Sequence, residues 1–158
     1  MAEGPALVLQ PVAPEERREF GERLAEYWAD LGVIPPSAWH RRYLARLWEE
    51  DGQGRHAWWG MAGTRRLGFA VLRLDADWVE PERRVGYVAE FSIFAPWRRL
   101  GHGGRLFAAV RAWFLVQGCS GIELDVLPTN LRAQAFWSAQ GFRPAYQHLR
   151  LDGGGMRL

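Results

Sequence analysis

The 158-residue chain contains no lysine, so all twenty of its fixed cations are arginine. That excludes a Walker-type nucleotide loop, which places a lysine on the terminal phosphates. It also makes every fixed positive charge a planar guanidinium, suited to carboxylate and phosphate. A single cysteine, Cys119, excludes an intrachain disulfide. It fits a reducing compartment, and a cytoplasmic location is the expectation. No apolar run reaches the roughly 20 residues needed to cross a bilayer, and no basic-then-apolar leader opens the chain, so neither a membrane partner nor a signal peptide is expected. Net charge is only +2. That balance, with no reader motif, argues against a nucleic-acid partner despite the arginine content.

What is present is apolar mass. Hydrophobic residues make up 48% of the chain and nine residues are Trp, which argues against disorder. The length suits one domain spanning 1–158. Residues 6–12 read as a strand. Pro14 opens a helix bearing Phe20, Leu24, Tyr27, Trp28 and Leu31 at helical spacing. Ser37 is read as the N-cap of a second helix that sends Trp39, Tyr43, Leu44, Leu47 and Trp48 to the core. Strands follow at 56–62, 67–74 and 84–94, then a helix at 101–117, a strand at 122–127, and a helix capped by Thr129-Asn130 and stopped by Gly141. Residues 142–151 are expected to supply one or two closing strands, and Gly153-Gly154-Gly155 a flexible tail. The order β-α-α-β-β-β-α-β-α-β predicts an α/β fold with a mixed central sheet of six to seven strands and about four helices.

Residues 87–107, YVAEFSIFAPWRRLGHGGRLF, carry the strongest functional signal. An apolar strand runs into Arg98-Arg99-Leu100-Gly101-His102-Gly103-Gly104-Arg105, and an amphipathic helix follows. A glycine-rich turn opening a helix leaves backbone N–H groups unpartnered at the positive end of the dipole, which suits a polyphosphate. Residues 95–117 hold four Arg and no acid. The pattern R-x-x-G-x-[G/A] is weak by itself, because Arg65-Arg66-Leu67-Gly68-Phe69-Ala70 matches it too. That copy leads into a strand, and its glycine is read as shaping a hairpin. A dinucleotide-binding G-x-G-x-x-G is excluded, since Leu106 stands at the third glycine position.

These residues resemble the GNAT superfamily of N-acetyltransferases. The run Ile93-Phe94-Ala95-Pro96-Trp97-Arg98-Arg99-Leu100-Gly101-His102-Gly103 is similar to the family's strand-to-phosphate-loop motif. Asn130 to Trp137, with the closing Gly141-Phe142, is similar to its second motif. The resemblance covers nearly the whole chain in order. It implies a GNAT fold, with acetyl-CoA as acyl donor and an amine of a small molecule or peptide as acceptor, no metal, and room for a homodimer. By position it implies that backbone groups of Ile93 and Ala95 bind the pantetheine arm. Arg98, Arg99, Leu100, Gly101, His102, Gly103, Gly104 and Arg105 would cradle the pyrophosphate, and Asn130 and Phe136 would touch the lower cofactor arm. His102 reads equally as an exposed turn residue.

Glu90 resembles the position where many members of the family hold a general base. Its neighbours Val88, Ala89, Phe91 and Ile93 are apolar, and partial burial there would raise its pKa toward a useful value. The other reading is a strand carboxylate in an ion pair. Trp137 stands where many relatives carry a tyrosine that protonates the departing thiolate. An indole N–H donates a hydrogen bond but does not practically transfer a proton. The alternative function is therefore an acyl-CoA-binding regulatory or sensor domain with weak or no catalysis. The resemblance places the acceptor near residues 30–39, an apolar link with one acid, Asp30, and near the closing strands.

Overall fold

A computed structural model describes residues 6–151. The chain forms two compact units, divided after Asp125.

The first unit opens with β1 (Leu7–Pro11), a 3-10 turn at Pro14–Glu16, α1 (Arg17–Asp30) and α2 (Ser37–Glu50). Three strands follow, β2 (Arg55–Ala62), β3 (Arg65–Ala76) and β4 (Arg84–Ile93). A 3-10 turn at Ala95–Trp97, α3 (His102–Val116) and β5 (Cys119–Glu123) complete it. The strands lie side by side in chain order. The β1–β2, β2–β3 and β3–β4 pairs are antiparallel and β4–β5 is parallel, as the helical crossover through α3 requires.

The helical spacing in α1 buries Phe20, Leu24 and Trp28 against Leu47 of α2 and against Trp59, Phe69 and Val71 of the sheet. Phe20 is fully buried and meets Trp59, Phe69 and Trp48 edge-on, with ring centroids 5.1, 5.2 and 5.5 Å away. Each such ring contributes about 1.5–3 kcal/mol through burial. Leu106 of α3 packs on the opposite face with Leu7 and Leu67. Alternating side chains along β2 and β3 thus feed two apolar layers.

In the second unit α4 (Leu131–Ala139) is the one helix among the described residues. None of the chain's described helices is long and apolar enough to cross a membrane.

The structure corrects several sequence-based expectations. The described sheet has five strands rather than six or seven. Residues 142–151 join no ladder, and Tyr146, Leu149 and Leu151 are exposed. A strand needs a neighbour for its N–H and C=O groups, and no described strand pairs with this segment. The tail glycines lie outside the described residues. β5 begins at Cys119, not 122, because its ladder starts with Arg84 opposite Cys119, directly after α3 ends. Ser37 is the first helical residue of α2 rather than its cap. Pro36 stands at the cap, and its carbonyl accepts from Trp39 and His40 at 2.9 and 3.1 Å. Trp39 is 43% exposed rather than in the core.

Gly68 does not shape the hairpin. The turn is made by Gly63-Thr64, and Gly68 lies inside β3 opposite Ile93. A Cβ there would stand 2.1 Å from the Ser92 carbonyl oxygen, so only hydrogen fits. Arg66 of the same segment is paired with Glu16 and Glu19. This copy of the arginine-glycine pattern is structural.

Candidate active site

β4 builds the centre of the site. Its pairing with β5 ends at Tyr87 opposite Glu123, yet the strand continues to Ile93. Residues 88–93 therefore present a backbone edge that no described strand covers. On the other edge, Val71 faces Glu90 while Leu72 faces Val88, which makes Ala89 an extra residue in β4. Such a bulge bends the strand and re-aims the next side chain.

That side chain is Glu90, which points toward α1 and α2. The Tyr43 hydroxyl donates to Oε1 of Glu90 at 3.1 Å. Trp28 and Tyr27 also lie close enough to favour the ionised form of this carboxylate. Burial is the dominant influence and pushes Glu90 up to about 7; the Tyr43, Trp28 and Tyr27 side chains and the charge of Arg55 oppose it. Burial also drives both tyrosines up, and the neighbouring carboxylate reinforces the effect. The Tyr27 hydroxyl additionally meets the Phe91 backbone. Glu90 forms no ion pair within contact distance among the described residues, so the alternative reading of a paired strand carboxylate does not describe it. A carboxyl that titrates near neutrality can take a proton from a substrate and release it again.

The loop after β4 is shaped by two left-handed residues, Arg99 at φ 63° and Gly101 at φ 78°. Gly101 is the N-cap of α3, and no side chain caps that helix. The first-turn N–H groups of His102, Gly103 and Gly104 thus lack helical acceptors, as the sequence predicts. Arg99 and Leu100 are exposed. His102 is half-buried, edge-on to Trp97 at 6.4 Å, with Nδ1 3.4 Å from Nη1 of Arg105. An anion here would meet backbone dipoles and flanking arginine, so the residues present fit a pyrophosphate.

Arg98 has protein partners at both ends of its guanidinium. Its Nε donates to the Ile93 carbonyl at 2.7 Å and its Nη2 to Oδ2 of Asp30 at 2.8 Å. The guanidinium ties the end of β4 to the end of α1. It also engages the Ile93 carbonyl, one of the groups expected on the pantetheine arm. Ala95 begins the 3-10 turn, and its carbonyl accepts from the Arg98 N–H at 3.3 Å.

In the second unit, Oδ1 of Asn130 accepts from the Ala133 N–H at 3.0 Å, so this side chain caps α4. Phe136, Trp137 and Phe142 form an edge-on series with centroids 4.8 and 5.3 Å apart. Trp137 is buried.

Tyr27, Trp28 and Tyr43 were missed as site residues because helical periodicity assigns them to the core. The Arg98–Asp30 pair, 68 positions apart, had no local signal. The hollow beside the β2–β3 turn, lined by Gln10, Met61, Gly63, Thr64 and Arg66, carries no comparable chemistry: its one charged side chain is the paired Arg66.

Among curated proteins, none matches the chain. Several solved structures share the fold. Aminoglycoside N-acetyltransferase AAC(6')-Iy, in complex with the bisubstrate analogue CoA-S-monomethyl-acetylneamine, is 18% identical; the match covers 92% of this chain and 97% of that one, with a TM-score of 0.71. The aminoglycoside acetyltransferase meta-AAC0020, from an uncultured soil metagenomic sample and in complex with sisomicin, is 15% identical, covering 92% and 94% at a TM-score of 0.69. A transcriptional regulator from Bacillus halodurans C-125 is 13% identical, covering 92% and 99% at a TM-score of 0.73. At these identities the likeness is one of fold. The model of the acetyltransferase (GNAT) family matches residues 15–142, which include both units' motifs and Glu90. The chain belongs to the GNAT family of acetyltransferases.

Proposed function

We propose that the protein is an N-acetyltransferase that moves an acetyl group from acetyl-CoA to an amine of a small molecule or peptide, with Glu90 as general base. The observation that carries this reading is the half-buried Glu90 carboxyl, which accepts from Tyr43 and is pushed up to about 7 by burial, beside the open edge of β4. The neutral amine attacks the thioester carbonyl. A C–N bond forms, the C–S bond breaks, the amine proton passes to Glu90, and CoA leaves as a thiol after taking a proton. The uncapped start of α3 supports a pyrophosphate seat there, and the structural neighbour solved with a CoA-containing bisubstrate analogue supports acetyl-CoA as donor. Neighbours in complex with aminoglycoside ligands support a small-molecule amine as acceptor. The family match runs across the boundary after Asp125, which supports treating 1–158 as one acetyltransferase domain.

The test is calorimetry with acetyl-CoA, followed by CoA release across an amine panel. Saturable binding and amine-dependent release are expected. Absence of binding would sink the reading.

One observation favours a second reading. Trp137 is buried between two phenylalanine rings, at the position where the resemblance implies a proton-donating tyrosine, which fits an acyl-CoA sensor. That reading predicts CoA binding without turnover of any amine.

A further inference from the structure

The side chains around Glu90 form an aromatic wall. Trp28 meets Tyr43 edge-on at 4.9 Å and Trp39 at 5.1 Å, and Trp39 stacks on Tyr43 at 5.5 Å with 24° between the rings. Tyr43 donates to the Glu90 carboxylate and Trp28 packs on Tyr43, so the wall and the base are one construction. Trp39 is the member that opens to solvent. It is 43% exposed, and Ile34 in the adjoining α1–α2 link is 88% exposed. An amine that reaches Glu90 from this side passes over apolar surface. His40 packs edge-on to Trp28 at 5.4 Å, and its Nε2 is buried with no hydrogen-bond partner. A buried polar atom left unpaired in such a wall is a place for a ligand group or an ordered water.

The charges nearby do not suit a polycation. Asp30, the one acid of the link, is already bound by Arg98. Glu26 is held by Arg23 and Glu50 by Arg46 and Arg55. Arg41 and Arg42 are exposed on α2. Glu90 has no ion pair among the described residues and lies against Tyr43 of the wall, so it is the carboxylate placed to meet an amino group, while ring faces supply the rest of the contact area. An ammonium over such rings, within about 6 Å of a centroid, gains further electrostatic attraction.

We propose that the acceptor is an aromatic or otherwise apolar primary monoamine, its apolar body on Trp39 and Tyr43 and its nitrogen at Glu90. This rests on the acetyltransferase reading of the same site. It commits the site to one amino group and a ring or alkyl body, and sets it against acceptors carrying several cations.

The experiment compares acetylation of 2-phenylethylamine with that of spermidine and kanamycin, and includes the variants Trp39→Ala and Trp39→Phe. The expected result is a kcat/KM at least about tenfold higher for 2-phenylethylamine. Trp39→Ala should lower that value about tenfold, mainly through KM, and Trp39→Phe should restore most of it. Acetyl-CoA affinity, measured by calorimetry, should be the same in both variants. Equal or better turnover of the polycations, no turnover of 2-phenylethylamine, or an unchanged KM in Trp39→Ala would each overturn the proposal. A chain that binds no acetyl-CoA would instead remove the acetyltransferase reading beneath it, so the two failures are distinct.

Discussion

Tyr43 and Glu90, forty-seven positions apart, share a hydrogen bond in which the phenol donates to the carboxylate at 3.1 Å. Burial favours the neutral acid, while the phenol favours the anion. The balance of these opposed effects puts the carboxyl near neutrality, where a base is most useful.

Replacing Glu90 by Gln removes the base while keeping shape. The expected loss in kcat is at least about 10²-fold, and the rising limb of the pH–rate profile near pH 7 should vanish. Unchanged turnover on an accepted amine would take Glu90 out of the mechanism.

The same group makes stability depend on pH. Because the folded carboxyl titrates above its ordinary value of 4.5, the native chain keeps a proton that the unfolded chain has released between 4.5 and about 7. This contribution is fully present below about pH 4.5 and is lost as pH rises through about 7. Its size is at most about 3 kcal/mol. Glu90→Gln should therefore be stabilised relative to the native sequence at pH 8 and show little gain at pH 4.5, as read from urea unfolding at both values.

Tyr43→Phe keeps the ring and deletes one donor. Since that donor lowers Glu90, its loss moves the carboxyl upward. The acid limb of the kcat profile should shift above pH 7, with a lower rate at neutral pH that recovers partly in alkali. A limb that stays in place would show that Tyr43 does not tune the base.

Arg98→Gln separates two roles for the arginine. Its guanidinium binds the Ile93 carbonyl and Asp30. Asp30 is half-exposed, so the ion pair itself contributes no more than about 1 kcal/mol. The charged hydrogen bond to a carbonyl adds about 1.5–3 kcal/mol. The variant should lower the thermal midpoint measurably while CoA affinity falls less than tenfold. A hundredfold loss of CoA affinity with unchanged stability would assign the side chain to the phosphates instead.

Gly68→Ala places a Cβ against the backbone oxygen of Ser92. Backbone cannot yield as a flexible side chain does, so the expected cost is about 3 kcal/mol or more. The end of β4 should be displaced too, weakening acetyl-CoA binding in whatever fraction folds. Calorimetry together with urea unfolding checks both.

Local patterns carried much of this protein. Helical spacing marked Phe20, Leu24 and Trp28, Asn130 was readable as a cap, and the glycine turn before α3 was recognisable because a strand precedes it and a helix follows. Each rests on neighbours within a few residues, where backbone geometry and capping chemistry act. The same locality explains the misses. Periodicity says that Trp39 lies on the apolar side of α2 but not that one part of it stays open to solvent. The closing strands expected at 142–151 do not form, because no described neighbour accepts that segment's hydrogen bonds. The arginine-glycine pattern fits Arg65 as well as Arg98, and only the surroundings tell them apart.

By itself the sequence carried the family resemblance, the order of elements as far as α4, the glycine turn before α3 and the candidacy of Glu90, because all four are written in short-range pattern. Tertiary structure alone decided what Glu90 is. Its raised pKa, its Tyr43 donor and the aromatic wall beside it depend on α1, α2 and β4 meeting across dozens of residues. Desolvation acts through space and leaves no mark along the chain. The same holds for the Arg98 guanidinium, whose bonds to Asp30 and the Ile93 carbonyl join elements far apart in the chain.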